Sequence, residues 1–265
     1  MVHGQCQVNQ FLSSILIEVR RRHPALFSGE KIVMALIVRI DVDRPYGKHP
    51  FHRHVLSRVS SDLYFPKIQA CGYLEELKWM LSLLNSKKAR AYDFFRRCTL
   101  PSPDVLELMK QGQHEIGLHL ENSTSFESFS TEKEILEQHL GNKVSSMSKH
   151  GSGKRKFGYH HHAPYEPDKY VEWAQRAGMK LFLGNLEDPS INSSVSTNGM
   201  TVFPAAFWLE PQWRDTRKLT IDWLRSYATK NDTVLLVHPE NVLECAELTE
   251  SFDELVSSLE TKILS

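Results

Sequence analysis

Every second side chain over residues 34–43 is apolar, from Met34 to Val42, and the intervening positions end in polar residues. A period of two residues is typical of a β-strand with one buried face. The opposite face carries Arg39, Asp41 and Asp43 at its carboxyl-terminal end. Two carboxylates at positions i and i+2 lie about 7 Å apart on one strand face. Placing both there is unfavourable unless a cation binds or one carboxyl group is protonated, so this segment predicts a chemical role.

A second alternating segment covers residues 114–121. Ile116, Leu118 and Leu120 form its apolar face, which leaves His119 and Glu121 on the other face. Aspartate and histidine from two strand ends suit a borderline divalent metal such as zinc. A solvated edge strand or a hydrogen-bonded core histidine explains either segment alone about as well, but explains the two together less well.

The rest of the chain alternates between segments typical of strands and segments typical of helices. The predicted helices are 8–22, 72–84, 102–111, 126–140, 168–177, 216–229 and 246–264, the further strands are 89–95, 144–148, 179–183 and 233–237, and 44–58 is a predicted loop. Regular alternation predicts an α/β fold with a parallel sheet or barrel. Functional sites of such folds lie at the carboxyl ends of the strands, where His150, Asn185 and His238 also fall.

Composition narrows the class of protein. The 265 residues are 41% hydrophobic and 24% charged, which fits one globular domain over 1–265 with residues 1–30 as a helical extension packed on it. The 32 basic and 32 acidic residues balance, so charge gives no reason to expect nucleic acid or an anionic membrane as a partner. Four scattered cysteines and no visible secretion signal or membrane span lead us to expect a cytoplasmic protein. The oligomeric state stays open.

Four segments, in order over about residues 34–240, resemble motifs of the polysaccharide deacetylase family, also called NodB-homology proteins. Residues 39–43, Arg-Ile-Asp-Val-Asp, resemble its first motif, usually Thr-Phe-Asp-Asp-Gly. Residues 91–95 resemble its Thr-Phe-Phe strand, and residues 235–239, Leu-Leu-Val-His-Pro, resemble its closing motif. Residues 113–119, Gln-His-Glu-Ile-Gly-Leu-His, resemble its second motif and are the specific element.

The resemblance implies a distorted (β/α) barrel that hydrolyses an N- or O-acetyl group on a sugar with the help of a divalent metal, for which we expect zinc. By position, Asp43 and His119 would bind the metal, Asp41 would be the general base and His238 the general acid. This chemistry is coherent, because a metal polarises the acetyl carbonyl and activates water while a carboxylate and an imidazole move protons.

The chain departs from the family pattern at three places. Val42 separates the two aspartates, and we keep the family order because Asp43 lies nearer the strand end. Ser123 stands where the family has its second histidine, so we expect His150 as the third ligand, with Glu121 as the alternative. The family's Arg-Pro-Pro-Tyr motif has no clean match.

Residues 162–165 occupy the approximate place of that last motif, and Arg39 is the candidate to replace its arginine. The predicted substrate-binding residues are Arg39, Glu121, His162, Tyr165 and Asn185. The expected substrate is a saccharide or glycoconjugate, such as an intermediate of O-antigen or other surface-polysaccharide biosynthesis. The missing histidine also motivates an alternative function, a degenerate barrel that binds carbohydrate without hydrolysing it.

Overall fold

A computed structural model of the chain describes residues 35–64, 67–153 and 155–264. The predicted helix over 8–22 and the extension over 1–30 lie outside these ranges, and the single-domain assignment stays a prediction. Within the described ranges, none of the helices is long and apolar enough to cross a membrane.

One sheet of nine strands organises the described residues. The strands are β1 (Leu36–Val42), β2 (Ala91–Phe95), β3 (Glu115–Leu120), β4 (Ser146–Lys149), β5 (Leu181–Leu186), β6 (Val195–Thr197), β7 (Met200–Ala205), β8 (Phe207–Trp208) and β9 (Thr233–Val237). Their order in the sheet is β6-β7-β5-β4-β3-β2-β1-β9-β8. Every neighbouring pair is parallel except β6 and β7. The carboxyl ends of the parallel strands therefore meet at one edge.

Helices connect most of the strands. They are α1 (Phe51–Leu63), α2 (Glu75–Lys87), α3 (Pro103–Gly112), α4 (Phe126–Leu140), α5 (Pro167–Arg176), α6 (Ile221–Ala228), α7 (Pro239–Leu243) and α8 (Ala246–Ser258). The predicted α4 and β9 have the observed bounds, and most other predicted elements are displaced by one to three residues. The helix predicted over 216–229 begins only at Ile221, where the Thr220 hydroxyl accepts the Trp223 N–H at 3.0 Å.

The predicted loop over 44–58 is wrong for its second half, because α1 begins at Phe51. The buried positions of α1 are Ser57 and Ser60 rather than large apolar residues. Apolar residues do recur at helical spacing, at Phe51, Val55, Val59 and Leu63, but three of them are exposed, and the polar, His- and Arg-rich composition of residues 44–58 led to the loop prediction. Strands β6, β7 and β8 were also missed: β6 and β8 are short strands at the two borders of the sheet, and β7 contains Pro204.

The sheet curls so that its two faces have different surroundings. Alternate residues of β1, such as Val38 and Ile40, join the large core between the sheet and the helices, whereas Ile37 joins a smaller inner cluster. The Arg39 guanidinium donates from Nη1 to the carbonyls of Leu183 and Gly184 on β5 at 2.9 and 2.8 Å. Strands β1 and β5 are separated by three strands in the sheet order, so this contact crosses the interior. The predicted distorted barrel is confirmed.

Candidate metal centre and active site

Three strand ends bring an aspartate and two histidines together at the carboxyl edge. Asp43 follows β1, His119 lies in β3 and His150 follows β4. Asp43 Oδ1 lies 3.0 Å from His119 Nε2 and 2.8 Å from His150 Nδ1. One candidate ligand atom from each residue lies within 4.8 Å of the other two. The residues predicted as the metal set therefore form one cluster, which we call the Asp-His-His cluster.

The chemistry of this donor set fits zinc, which binds imidazole nitrogens and carboxylate oxygens. His119 Nδ1 contacts the Ser148 hydroxyl at 2.7 Å, which orients the ring with Nε2 toward Asp43. The His161 ring donates to the His150 carbonyl at 2.8 Å and so supports the loop that carries His150. Hydrogen bonds of this kind commonly fix the orientation of metal-binding side chains.

Protonation in the cluster also suits metal binding. Burial disfavours the ionised form of Asp43, but the imidazoles of His150 and His119 outweigh it and hold the pKa of Asp43 well below its ordinary value. Burial lowers the pKa of His150 well below its ordinary value. An ionised aspartate and a neutral imidazole are the forms that coordinate a metal.

Asp41 lies beside the cluster with its carboxylate held in a fixed orientation. Arg39 donates to both Asp41 oxygens, from Nε at 2.9 Å and from Nη2 at 2.6 Å. The Ser148 hydroxyl lies 3.3 Å from Asp41 Oδ1, and His119 Nε2 lies 3.6 Å from Asp41 Oδ2. Both Arg39 and Asp41 are buried. This bidentate pair gives Asp41 one defined direction toward the cluster.

His238 approaches the cluster from β9, and a carboxylate holds its ring. Its Nδ1 lies 2.8 Å from Glu210 Oε1, and its Nε2 lies 3.7 Å from Asp43 Oδ2. Burial disfavours the imidazolium, but the Glu210 carboxylate outweighs burial and raises the pKa of His238 to about 10. His238 is therefore protonated at neutral pH.

Glu210 was missed in the sequence. It lies two residues after β8 in an irregular connection, and its carboxylate also accepts the His238 backbone N–H at 3.1 Å and the Asn241 amide at 3.1 Å. No periodic pattern marks this connection, and β8 itself was not predicted. The one sequence signal was an acidic residue within the otherwise apolar segment 205–211, where burial of an acid requires a partner.

The structure does not bring Glu121, the alternative third ligand, into the cluster. Glu121 is buried and forms an ion pair with Arg96, whose Nη1 also donates to the Asp43 carbonyl at 2.6 Å. Ser123, at the family's histidine position, is buried with its hydroxyl 3.3 Å from that of Tyr170. Neither Glu121 nor Ser123 reaches the cluster, and His150 occupies the position beside Asp43 and His119.

The other predicted substrate-binding residues differ in their placement. Asn185 lines the cavity above the cluster and accepts a hydrogen bond from Arg39 Nη2 at 2.8 Å. The Tyr165 hydroxyl accepts the Asn185 backbone N–H at 2.8 Å, so Tyr165 supports this contact without lining the cavity. His162 lies 3.5 Å from Glu166, also outside the cavity lining. Their roles in binding substrate stay predictions.

A single cavity of about 360 Å³ connects these groups. Asp41, the Asp-His-His cluster and His238 lie in its wall, together with Trp208 and Trp213. Its size falls within the range of small-molecule sites. A carboxylate, a candidate metal set and a charged imidazole therefore face one common space.

No protein-family model matches the chain, and no characterised protein matches it in sequence. Similar solved structures include a carbohydrate esterase family 4 pseudoenzyme from Bacillus anthracis, with 13% identity and a TM-score of 0.45 over 88% of this chain. They also include a family 4 carbohydrate esterase from Streptomyces lividans in complex with acetate, with 10% identity and a TM-score of 0.43 over 88% of this chain and 93% of that chain. A peptidoglycan deacetylase from Bacillus subtilis has 11% identity and a TM-score of 0.40 over 84% of this chain and 93% of that chain. The match to the pseudoenzyme covers 64% of its chain.

Proposed function

We propose that the chain is a metal-dependent hydrolase that removes an N- or O-linked acetyl group from a saccharide or glycoconjugate. One observation carries this proposal: the Asp-His-His cluster lies in one cavity between the Arg39-bound carboxylate of Asp41 and the protonated His238. Hydrolysis of an acetyl group needs an activated water, a base and an acid, and these residues provide a group for each need.

Asp43, His119 and His150 would hold the metal, for which zinc is the expected ion. When bound, such a metal supplies Lewis acidity that polarises the acetyl carbonyl and lowers the pKa of a water molecule.

Asp41 accepts the proton of the attacking water. Arg39 donates one N–H to each Asp41 oxygen and so prevents rotation of the carboxylate. Asp41 Oδ2 lies 3.6 Å from His119 Nε2, which places the base at the cluster itself. A base fixed in this way avoids much of the entropy loss of a proton transfer between freely moving groups.

His238 donates its proton to the leaving nitrogen or oxygen of the sugar. Its Nδ1–H is donated to Glu210, which leaves the Nε2–H on the cavity side, 3.7 Å from Asp43 Oδ2. Base and acid thus come from the ends of the neighbouring strands β1 and β9 and face the same cavity. Trp208 and Trp213 provide aromatic surface in the cavity wall for a sugar ring. A precursor of a surface polysaccharide such as an O-antigen is the substrate that we propose.

The substitution Asp41→Asn tests the base. We expect acetate release from an acetylated saccharide to fall about 10²–10⁴-fold, because the amide cannot accept the proton. Acetate is measured by a coupled enzymatic assay, and zinc content by mass spectrometry shows that the metal site survives. Asp222→Asn, at an exposed position of α6, is the matched control and retains full activity. Activity that survives Asp41→Asn would contradict the role of Asp41.

A measurement of metal binding distinguishes the proposed hydrolase from the alternative function, a barrel that binds sugar without catalysis. We expect the purified chain to bind one zinc ion, and His150→Gln to lose it, because only His119 and Asp43 then remain as ligands. His52→Gln, which changes an exposed histidine of α1, serves as control and keeps the metal. A chain that binds acetylated sugar but neither retains zinc nor gains activity on its addition would favour the degenerate barrel.

A further inference from the structure

The cavity wall has an excess of positive charge that the proposed reaction does not use. Its acidic residues are Asp41, Asp43 and Glu240, and its basic residues are Arg44, Lys48, Arg58, Arg96 and Arg155. The whole chain, in contrast, has equal numbers of acidic and basic residues. The charge excess is therefore local to the cavity.

Some of these cations already have carboxylate partners. Arg96 is buried and paired with Glu121. Lys48 lies 3.0 Å from Glu244, and Arg44 lies 3.7 Å from Glu240. These three charges are at least partly neutralised within the fold, so none of them requires a ligand.

Arg58 and Arg155 differ from the other three. Arg58 lies on α1 and Arg155 lies in the loop that follows β4, and both side chains line the cavity while the residues are exposed. Neither forms an ion pair with any of the described residues. Two elements far apart in sequence thus each present an uncompensated guanidinium to the same space.

Both arginines come from supported positions. The Arg155 guanidinium lies over the Phe157 ring, 5.3 Å from its centroid, and that ring lies 5.6 Å from the ring of His150. On α1, the residue next to Arg58, Ser57, accepts the Tyr46 N–H at 3.1 Å and ties the helix to the loop after β1. The Phe157 ring therefore lies between Arg155 and His150 of the cluster, and the backbone that carries Arg58 is anchored.

We propose that the substrate is an acetylated saccharide that carries an anionic group, a carboxylate or a phosphate, and that Arg58 and Arg155 bind this group. This inference rests on the proposed deacetylase function. A guanidinium presents paired N–H donors that match the oxygens of either anion. With the acetyl group at the cluster, the anion would lie toward the open side of the cavity, where Arg58 and Arg155 are exposed.

Equilibrium binding tests the inference without depending on catalysis. The quenching of tryptophan fluorescence is measured for three probes: UDP-N-acetylglucosamine, a hyaluronan tetrasaccharide and neutral triacetylchitotriose. We expect at least one anionic probe to bind about tenfold more tightly than the neutral one, with a preference that decreases as salt is added. Preference for the nucleotide sugar identifies phosphate as the recognised group, and preference for the tetrasaccharide identifies carboxylate.

Charge reversal assigns the effect to the two arginines. The double substitution Arg58→Glu and Arg155→Glu should remove the preference for the anionic probe and leave the affinity for triacetylchitotriose within about twofold. Arg58→Lys should retain part of the preference, because it keeps the charge but loses the planar donor pair. Lys110→Glu, at an exposed position near the end of α3 and at the opposite edge of the barrel, is the matched control.

Equal affinity for all three probes, or a preference that charge reversal does not change, would overturn the inference. The two proposals fail in different ways. Anion-selective binding without acetate release contradicts the deacetylase and keeps the anion site. Acetate release from neutral and anionic substrates with the same kcat/KM contradicts the anion site and keeps the deacetylase.

Discussion

At the scale of single residues, Glu210 sets the charge of the imidazole that we propose as the acid. Its carboxylate accepts from the ring, the backbone N–H of His238 and the Asn241 side chain. Burial disfavours the imidazolium, but the negative charge of Glu210 and its hydrogen bond to the ring raise the pKa of His238 to about 10, so the charged ring also carries a proton on Nε2. Glu210 is thus a positioning residue, which acts on substrate only through His238.

The nature of the leaving group distinguishes this role from a merely structural one. We expect Glu210→Gln to lower acetate release from an acetylated sugar about 10²-fold, because a poor leaving group needs protonation. Hydrolysis of 4-nitrophenyl acetate should change less than about threefold, since nitrophenolate leaves without an acid. Glu210→Asp should restore part of the activity on the sugar. Equal losses on both substrates would show that Glu210 only maintains the fold.

The sequence predicted those site residues that also belong to, or directly follow, a segment with a strand pattern. Asp41, Asp43 and His119 lie on the polar faces of alternating segments at strand ends, and His150 follows a further strand, so their meeting at one edge could be predicted. Glu210 could not, because its burial follows from the packing of an irregular connection that no periodic pattern marks.

At the scale of elements, the two histidines of the β3 segment have different surroundings. His119 faces the cavity, whereas His114 lies just before β3, where its Nδ1 accepts the Ala91 N–H at 3.1 Å and its Nε2 contacts Asn85 at 2.9 Å. His114 therefore links the start of β3 to β2 and α2. Of the two histidines, only His119 lies in the cavity wall.

His114 should make stability depend on pH. Burial, assisted by Arg90, lowers the pKa of His114 to about 4, against about 6.5 in an unfolded chain. The unfolded state therefore binds the proton more readily, and the contribution is complete above pH 6.5 and is lost as the pH falls toward 4. We expect this loss to reach about 2–3 kcal/mol.

Urea unfolding from pH 7 to pH 4.5 measures the effect of His114. The advantage of the natural chain over His114→Gln should shrink as the pH falls. His52→Gln, at an exposed position, should leave the pH slope unchanged. If the free energy of unfolding of His114→Gln changed with pH as steeply as that of the natural chain, the pH dependence would belong to other groups.

Gly117 of β3 is required by the close packing of the inner face. A Cβ atom added there would lie 2.3 Å from the ring of Phe94 and 2.6 Å from the Ser146 hydroxyl. We expect Gly117→Ala to lower the free energy of unfolding by about 1–3 kcal/mol, because the ring must shift within a packed interior. Denaturant titration measures this, with Gly153→Ala as control, since a Cβ there meets nothing within 4 Å. Phe94→Leu in the same chain should recover part of the loss by making room.

At the scale of the whole molecule, Arg39 connects opposite sides of the barrel. It binds Asp41 on its own strand, and across the interior it binds the carbonyls of Leu183 and Gly184 and the side chain of Asn185. Removal of its charge would leave the buried Asp41 carboxylate without its cation and would take the guanidinium donor from the Leu183 and Gly184 carbonyls.

We therefore expect Arg39→Met to lower the free energy of unfolding by about 3–5 kcal/mol. Combining it with Asp41→Asn should cost less than the sum of the two single substitutions, because the uncompensated charge is then gone. Chemical denaturation of the four chains of this double-mutant cycle gives the interaction directly. Strict additivity would mean that Arg39 stabilises the barrel through its β5 contacts alone.

The barrel could be predicted from the sequence because its central strands are apolar or alternating and are separated by helices with apolar faces. The two strands beyond β5 and the border strand β8 could not. Strands β6 and β8 have three and two residues and β7 contains Pro204, so pairing with neighbouring strands fixes them rather than a local pattern. Helix α1 was missed because its apolar residues stand in a polar, His- and Arg-rich segment, and its buried positions are serines.

Strand β1 and the residue that follows it carry the proposed base, the arginine that holds it and a proposed metal ligand, all on one face. Because side chains alternate along a strand, a shift of β1 by one residue against β2 and β9 would turn Arg39, Asp41 and Asp43 into the apolar core together. Such a misfolded chain would lose the proposed base, its arginine and one proposed metal ligand together. If the proposed function is correct, the specific activity of a preparation should be proportional to the fraction of molecules in which β1 has its native register. Acetate release would then measure how much of the chain has folded with the correct strand pairing.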